Sequence, residues 1–355
     1  MRGLIFGLAL FLAIEWTVFH SRIYPSILTP DSSTGMFELV LSMERENAAT
    51  PARRVVAIGD SRQALREALA NQIQTAYRFS NAAVGGTTPR CWYYQLREMD
   101  PQRDHYKAIL IPVEGYDDED EQDDLANRLT DLRFLVARLG LADIPEFVGS
   151  YSTFENGWRA LLGVLLKGTV YKQDLQELLQ DPSKRMIDLD VRRAHWRKAI
   201  RTYHGDHRDL TGLGIDWKAW RAVYPERLSA RARKFIEDIL LWKPITQTGR
   251  TAAYRRKWFG RIIDRYQGSG TKLIFYRMPR APIVRPDGLV RKESASIREL
   301  AARPGARVLD EHAFDELEAP RYFYDPQHLN AEGKKRYTET LVRRVTEALG
   351  GANAL

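Results

Sequence analysis

Apolar residues cluster in short runs separated by longer amphipathic stretches. Residues 54–60 (RVVAIGD), 107–113 (KAILIPV) and 272–277 (KLIFYR) are apolar at consecutive rather than alternating positions. Runs of this length, ending in turn residues, are what strands buried on both faces of a parallel sheet require. Weaker strand patterns lie at residues 77–82 and 306–310 (ARVLD). Helical periodicity falls between them, at residues 62–73, 89–99, 292–302 and 331–349. Strand, helix, strand, helix, strand is a βαβ series and predicts an α/β domain with a central parallel sheet and right-handed crossovers. Residues 125–267 are almost wholly helical in pattern, too long for one crossover, and are expected to form an inserted helical subdomain.

The chain opens differently. Residues 4–19, LIFGLALFLAIEWTVF, are interrupted only by Glu15, follow Arg2 and precede His20, Ser21 and Arg22. This is the layout of a signal peptide or a single signal anchor, a buried core helix being the plainer alternative. No small-x-small cleavage site follows, which favours an uncleaved anchor over residues 1–22. With Arg2 on the cytoplasmic side, the rest of a single-pass inner-membrane protein would face the periplasm. The Ser-, Thr- and Pro-rich residues 23–52 read as a stalk with one short helix near residues 36–43. The expected organisation is then a core at residues 53–124 and 268–350, split by the insertion at 125–267.

Composition narrows the function classes. In 355 residues, 44% hydrophobic, the single cysteine Cys91 excludes an internal disulfide framework and a cysteine-built zinc site. The 54 Lys and Arg exceed the 46 Asp and Glu by eight, a surplus too modest to point to nucleic acid. That surplus is local: residues 184–234 hold 14 basic against six acidic side chains, interleaved with Trp196, Tyr203, Trp217, Trp220 and Tyr224, and the remainder balances. Such a stretch suits an acidic glycan, an anionic lipid surface or a partner protein; core aromatics on helices with basic outer faces are the simpler account. The acidic residues 117–124 (DDEDEQDD) match no calcium-loop spacing and are expected to be a solvated helix N-terminus. His204 and His207 lack an evident third ligand and read as loop. No metal or cofactor is therefore expected.

Three segments carry candidate chemistry. Gly59-Asp60-Ser61 stands where a strand should hand over to a helix, a position that exposes a serine oxygen at the carboxyl edge of the sheet and equally suits a helix cap. Asp325 and His328, three residues apart before the last helix, can supply a base and the carboxylate that orients it. A solvated loop capping that helix is the alternative. Asn81-Ala82-Ala83-Val84-Gly85-Gly86-Thr87-Thr88 places a glycine pair after the second strand, where a backbone amide can approach a ligand.

Together these segments resemble the blocks of the SGNH, or GDSL-type, hydrolase superfamily, over roughly residues 53–113 and 271–349. The resemblance implies a three-layer α/β/α flavodoxin-like fold, with Ser61 as nucleophile, His328 as base, Asp325 as its orienting carboxylate, and the amides of Ser61 and Gly86 as the oxyanion hole. One block departs from the family. The asparagine expected after the third strand is replaced in Pro112-Val113-Glu114-Gly115-Tyr116-Asp117, which leaves Tyr116 as the candidate third donor. The apolar N-terminus, DPQHLNAEG and Tyr276-Arg277-Met278-Pro279-Arg280 resemble a membrane-anchored branch that works beside membrane-bound O-acyltransferases in bacterial exopolysaccharide and cell-wall O-acetylation. The implied activity is a serine O-acyltransferase or esterase acting through an acyl-serine on an acylated glycan or small acyl ester. The competing reading is a non-catalytic binding or assembly subunit of a polysaccharide-modification complex.

Overall fold

A computed structural model describes residues 2–21, 23–47, 51–119, 125–242, 250–286 and 292–350. The chain divides into two compact units. The first comprises Met1–Asn47, Gly86–Met99 and Leu125–Ile200; the second comprises Ala48–Gly85, Asp100–Asp124 and Arg201–Leu355. The helical stretch expected as a single insertion is thus shared, its first part folding with the N-terminus and the remainder with the sheet.

The first unit is helical. Its main elements are α1 (Arg2–Ile14), α2 (Ser33–Arg45), α3 (Pro89–Met99), α4 (Thr130–Leu135), α5 (Phe154–Leu165), α6 (Lys167–Val170), α7 (Lys172–Gln180) and α8 (Pro182–Thr202). α1 buries none of its residues and continues through a π-turn, Glu15–Phe19. Among the described residues, Arg2–Phe19 is the one helical stretch long and apolar enough to cross a membrane.

The segment expected as a stalk is instead part of the packed unit. Ser32 caps α2 by accepting from the Gly35 amide at 3.0 Å, and Phe37, Leu39, Val40 and Leu41 are buried. The Ser and Thr content that suggests a linker serves here as helix caps and turns. Arg90 and Asp131 form a fully buried ion pair at 2.8 Å, completed by Thr88 donating to Asp131 at 2.7 Å.

The second unit holds every described strand: β1 (Arg54–Ala57), β2 (Arg78–Asn81), β3 (Ala108–Val113), β4 (Asp117–Glu119), β5 (Gly214–Asp216), β6 (Arg221–Val223), β7 (Lys272–Arg277), β8 (Lys292–Ser296) and β9 (Ala306–Val308). The main sheet runs in the order β2-β1-β3-β7-β9, parallel at each pairing. This is an α/β unit with a central five-stranded parallel sheet. β1 has β2 on one side and β3 on the other, so the winding reverses between β1 and β3. In open parallel sheets the crevice beyond the carboxyl ends at such a reversal is where ligands bind.

Strand alternation sends β7 side chains to opposite faces. Ile274 and Tyr276 join the core with Tyr337, Leu341, Val342 and Val345 of α12 (Ala331–Ala348), while Phe275 meets Phe259 of α10 (Arg250–Tyr266) edge-on at 5.6 Å. Helices α9 (Ala230–Leu240) and α11 (Ile297–Ala301) also belong to this unit. Three expectations fail in it. Residues 292–302 are not one helix: β8 pairs antiparallel with β4, and only Ile297–Ala301 is helical. The acidic run is not a helix start either. Asp117–Glu119 is strand β4, and residues 120–124 lie outside the described residues. In both places pairing with a strand remote in sequence overrides local propensity. The third is the hairpin β5–β6, which interrupts a stretch expected to be helical.

Candidate active site

β1 continues past its last paired residue, with the Ile58 amide donating to Leu110 at 3.1 Å, and then turns at Gly59. Gly59 has φ +148°, and a Cβ there would stand 2.9 Å from Pro112 Cγ and 3.2 Å from Gln63 Cβ. Only glycine meets both demands. The turn is closed by Gln63 N donating to Asp60 O at 3.1 Å, and Ser61 stands exposed at its tip. Ser61 therefore follows the carboxyl end of β1, where the winding reverses.

The helix expected at residues 62–73 is only a single turn, Glu67–Ala70. Gln63 explains the delay. Its buried side chain donates to Ile58 O at 3.2 Å and to the Tyr276 hydroxyl at 2.5 Å, and accepts from Tyr337 at 2.9 Å and from the Leu65 amide at 3.2 Å. That last bond ties the backbone to a side chain instead of to a helical turn. No helix begins at Ser61, so any oxyanion-binding amide has to come from turns.

The Asp325–His328 segment is a tight loop between Phe323 and Leu329, which pair as an isolated bridge. One Asp325 oxygen accepts the amides of Gln327 and His328 at 2.9 and 2.8 Å, which fixes the carboxylate against its own turn. Both carboxylate oxygens lie 2.9 Å from His328 Nδ1. His328 Nε2 in turn lies 2.9 Å from Ser61 Oγ. With Nδ1–H donating to the carboxylate, Nε2 is left as acceptor for the serine proton. Asn330 caps α12 by accepting the Gly333 amide at 2.9 Å and donates to Arg321 O at 2.8 Å, so the helix holds the loop from behind. Tyr324 lies nearly parallel to the imidazole, ring centroids 5.8 Å apart.

Around this chain of three residues lie groups with no signal in the sequence. Arg62 donates to Asp60 at 2.8 Å and also to Glu114, bridging the turn after β1 to the turn after β3. Burial would raise the Asp60 carboxyl, but the Arg62 charge and hydrogen bonds outweigh it and hold Asp60 below the usual carboxylate range. The Arg62 charge likewise lowers Glu114 against its burial. On the α12 side, buried Lys334 lies over the Tyr203 ring at 4.4 Å, and Arg66 meets His204 Nδ1 at 2.7 Å. Burial and the nearby Arg66 push the Lys334 ammonium down to about 8, with Asp325 pulling the other way. His204 is thereby placed as a loop residue beside Arg66, and the neighbouring Asp206 carbonyl accepts the Ala331 amide at 2.7 Å. Arg66 and His204 are 138 positions apart and Arg62 and Glu114 are 52 apart, which is why no local motif announces these pairs.

One expected donor is not where the resemblance puts it. Tyr116 is fully buried and donates to Leu309 O at 2.7 Å, and burial raises its phenol above the usual range. It is therefore turned into the core and committed. Gly86 has φ +81°, and a Cβ there would stand 3.5 Å from the Phe134 ring. The glycine against Ser61 is Gly85, where a Cβ would lie 3.5 Å from Ser61 Cβ, and the Val84 amide donates to Gly59 O at 3.0 Å to hold that loop in place.

Among the described residues, Asp100, Asp104 and His105 bring potential metal-ligand atoms within 4.8 Å of one another. One Asp100 oxygen already accepts from His105 Nδ1 and from the amides of Asp104 and His105, so the group is a carboxylate-bridged turn as it stands. No family model matches this chain, and no curated protein is recognisably similar to it in sequence.

Proposed function

We propose that this chain is a membrane-anchored SGNH-type serine O-acyltransferase or esterase that acts on an acylated glycan, with its catalytic unit on the periplasmic side of the inner membrane. The observation that carries this reading is the continuous relay Ser61 Oγ, His328 Nε2, His328 Nδ1, Asp325, each link 2.9 Å, at the carboxyl end of β1. A serine is a poor nucleophile unless a base takes its proton, and the base is effective only if a carboxylate holds its tautomer and balances its cation.

In the reaction Ser61 Oγ attacks the ester carbonyl while His328 takes the hydroxyl proton. The tetrahedral oxyanion is bound by the Ser61 amide and a second amide from the Gly85 turn. Collapse expels the alcohol, which receives the proton from His328, and leaves an acyl-serine. A sugar hydroxyl or water then loses its proton to His328 and attacks the acyl carbon. Ser61 leaves, recovers the proton, and the product is an acylated sugar or a free acid. A membrane-bound O-acyltransferase is the partner expected to deliver the acyl group.

A second reading is favoured by one observation, the commitment of Tyr116 to Leu309, which leaves the family's third oxyanion donor without a replacement. Loss of such a donor costs about 100-fold to 1000-fold in rate. The chain would then be a non-catalytic binding or assembly subunit. Full-length protein in detergent micelles, treated with a fluorophosphonate probe and assayed on short-chain acyl esters, separates the two. Labelling and turnover that Ser61→Ala and His328→Ala abolish support the enzyme. A folded protein that neither labels nor turns over overturns it.

A further inference from the structure

Exposed large apolar side chains are unevenly placed in this molecule. Outside residues 2–19, nine of them belong to the first unit and three to the second among the described residues. Those of α5 form a pattern. Phe154, Trp158 and Leu162, at i, i+4 and i+8, are 87%, 51% and 38% exposed, whereas Ala160, Gly163 and Val164 on the opposite side are buried. The three make an outward stripe about 12 Å long. Its flank is electrically neutral, because Glu155 and Arg159 pair with each other at 2.7 Å.

This stripe is fixed to the end of the apolar helix. The Glu15 carboxylate accepts the Gly168 amide at 3.1 and 3.3 Å, where α6 begins. A Cβ on Gly168 would lie 2.8 Å from Glu15 and 2.9 Å from Phe19, so the approach needs glycine. Phe19 packs against Tyr24 and Tyr171 with ring centroids 5.0 and 5.9 Å away, and His20 Nε2 lies 3.1 Å from Leu165 O at the end of α5. The last turn of the apolar helix is thus held inside the unit.

That docking shortens what is left for a bilayer. Twelve residues lie between Arg2 and the docked Glu15, and at about 1.5 Å each they span about 18 Å. A hydrocarbon core is about 30 Å thick. Even with the Arg2 side chain reaching outward, the helix spans a bilayer only if the lipid thins or the protein around its exit enters the interface. Trp16 and Ile23 are exposed apolar side chains next to that exit, and α5 ends there, with Leu165 O beside His20.

We propose that α5 is an interfacial helix whose Phe154, Trp158 and Leu162 lie in the headgroup–acyl boundary of the leaflet from which α1 emerges. This inference rests on the reading of α1 as a membrane anchor and is independent of the catalytic one. The occupant is lipid because α5 is tied at Leu165 to His20, just past the apolar helix, and because its exposed stripe carries an indole and is bordered by a self-neutralised ion pair. The first unit is then held against the membrane surface and is not tethered at a distance from it.

Full-length protein carrying one nitroxide on an introduced cysteine, reconstituted into phosphatidylcholine–phosphatidylglycerol liposomes, tests this by collisional relaxation with oxygen and with a water-soluble nickel chelate. The sites are Leu8→Cys in α1, Phe154→Cys, Trp158→Cys and Leu162→Cys in α5, and exposed Lys184→Cys as the aqueous control; native Cys91 is buried. The expected result is an oxygen-to-nickel accessibility ratio several-fold higher at the three α5 sites than at residue 184, and lower than at residue 8. Aqueous values on α5 with a deep residue 8 overturn the interfacial placement alone. Labels shielded from both reagents overturn it in favour of a protein partner or second copy. An aqueous residue 8 overturns the anchor reading and this inference with it.

Discussion

The Tyr116 hydroxyl donates a hydrogen bond to the Leu309 carbonyl at 2.7 Å, joining the turn after β3 to the end of β9. The tyrosine standing where the resemblance puts an asparagine is thus a core residue. Tyr116→Phe is expected to cost about 1–2 kcal/mol, because a buried carbonyl loses its donor. It should leave Ser61-dependent turnover unchanged. Denaturant titration and ester hydrolysis measured side by side check this; a drop of about 100-fold in rate without a matching loss of stability would restore Tyr116 as an oxyanion donor.

Gly59 is the residue on which the position of Ser61 depends. Gly59→Ala combines a strained φ with a Cβ 2.9 Å from Pro112, and about 1–3 kcal/mol of destabilisation is expected. Since Ser61 follows two residues later, the rate of fluorophosphonate labelling should fall even in protein that remains folded at low temperature. Wild-type labelling and melting in this variant would show that the turn tolerates a side chain.

Asp325 accepts from the amides of its own turn and meets His328 Nδ1, and the proposed mechanism gives these two contacts separable consequences. An asparagine can still accept the amides of Gln327 and His328, so Asp325→Asn should keep the loop and the melting temperature. It cannot balance an imidazolium or hold its tautomer, and kcat on a simple ester should drop on the order of 10⁴-fold. Retained turnover would remove Asp325 from the relay.

Lys334 makes stability depend on pH in an unusual direction. Its ammonium is lowered to about 8 in the folded protein, against about 10.4 when unfolded, so between those values the unfolded chain binds more protons. Stability therefore rises as pH increases from about 8 to about 10, and below that window the buried charge is a constant cost. Lys334→Met should flatten this rise and stabilise the protein at neutral pH, by roughly 1–3 kcal/mol. Melting curves from neutral pH to about pH 10 decide it: an unchanged slope in the variant would place the titration elsewhere.

The three inner strands of the main sheet, β1, β3 and β7, were legible because each is a dense apolar run buried on both faces, whereas the edge strands β2 and β9 left only weaker patterns. The ends of Pro89–Met99 and the start of Ala331–Ala348 were legible through their periodicity and the Asn330 cap. The stretch after Ser61 was not. Its helical pattern is genuine, but Gln63 finds Tyr276 and Tyr337, 213 and 274 residues away in sequence, and their hydroxyls hold it out of a helix. Likewise β8 is a strand because β4 lies beside it.

Residue type and short-range spacing thus determined the α/β class, the apolar N-terminal helix, the serine at a strand end and the aspartate–histidine pair on one loop. Each rests on interactions within a few residues, which composition and period encode directly. Only the tertiary structure decided that Ser61 and His328 meet, that Tyr116 faces the core, that Gly85 lies against the serine, and that Glu15 docks on Gly168. Those outcomes depend on which donors and acceptors the folded chain brings within about 3 Å of each other, and a hydrogen bond is satisfied by whichever partner is nearest in space, not in sequence.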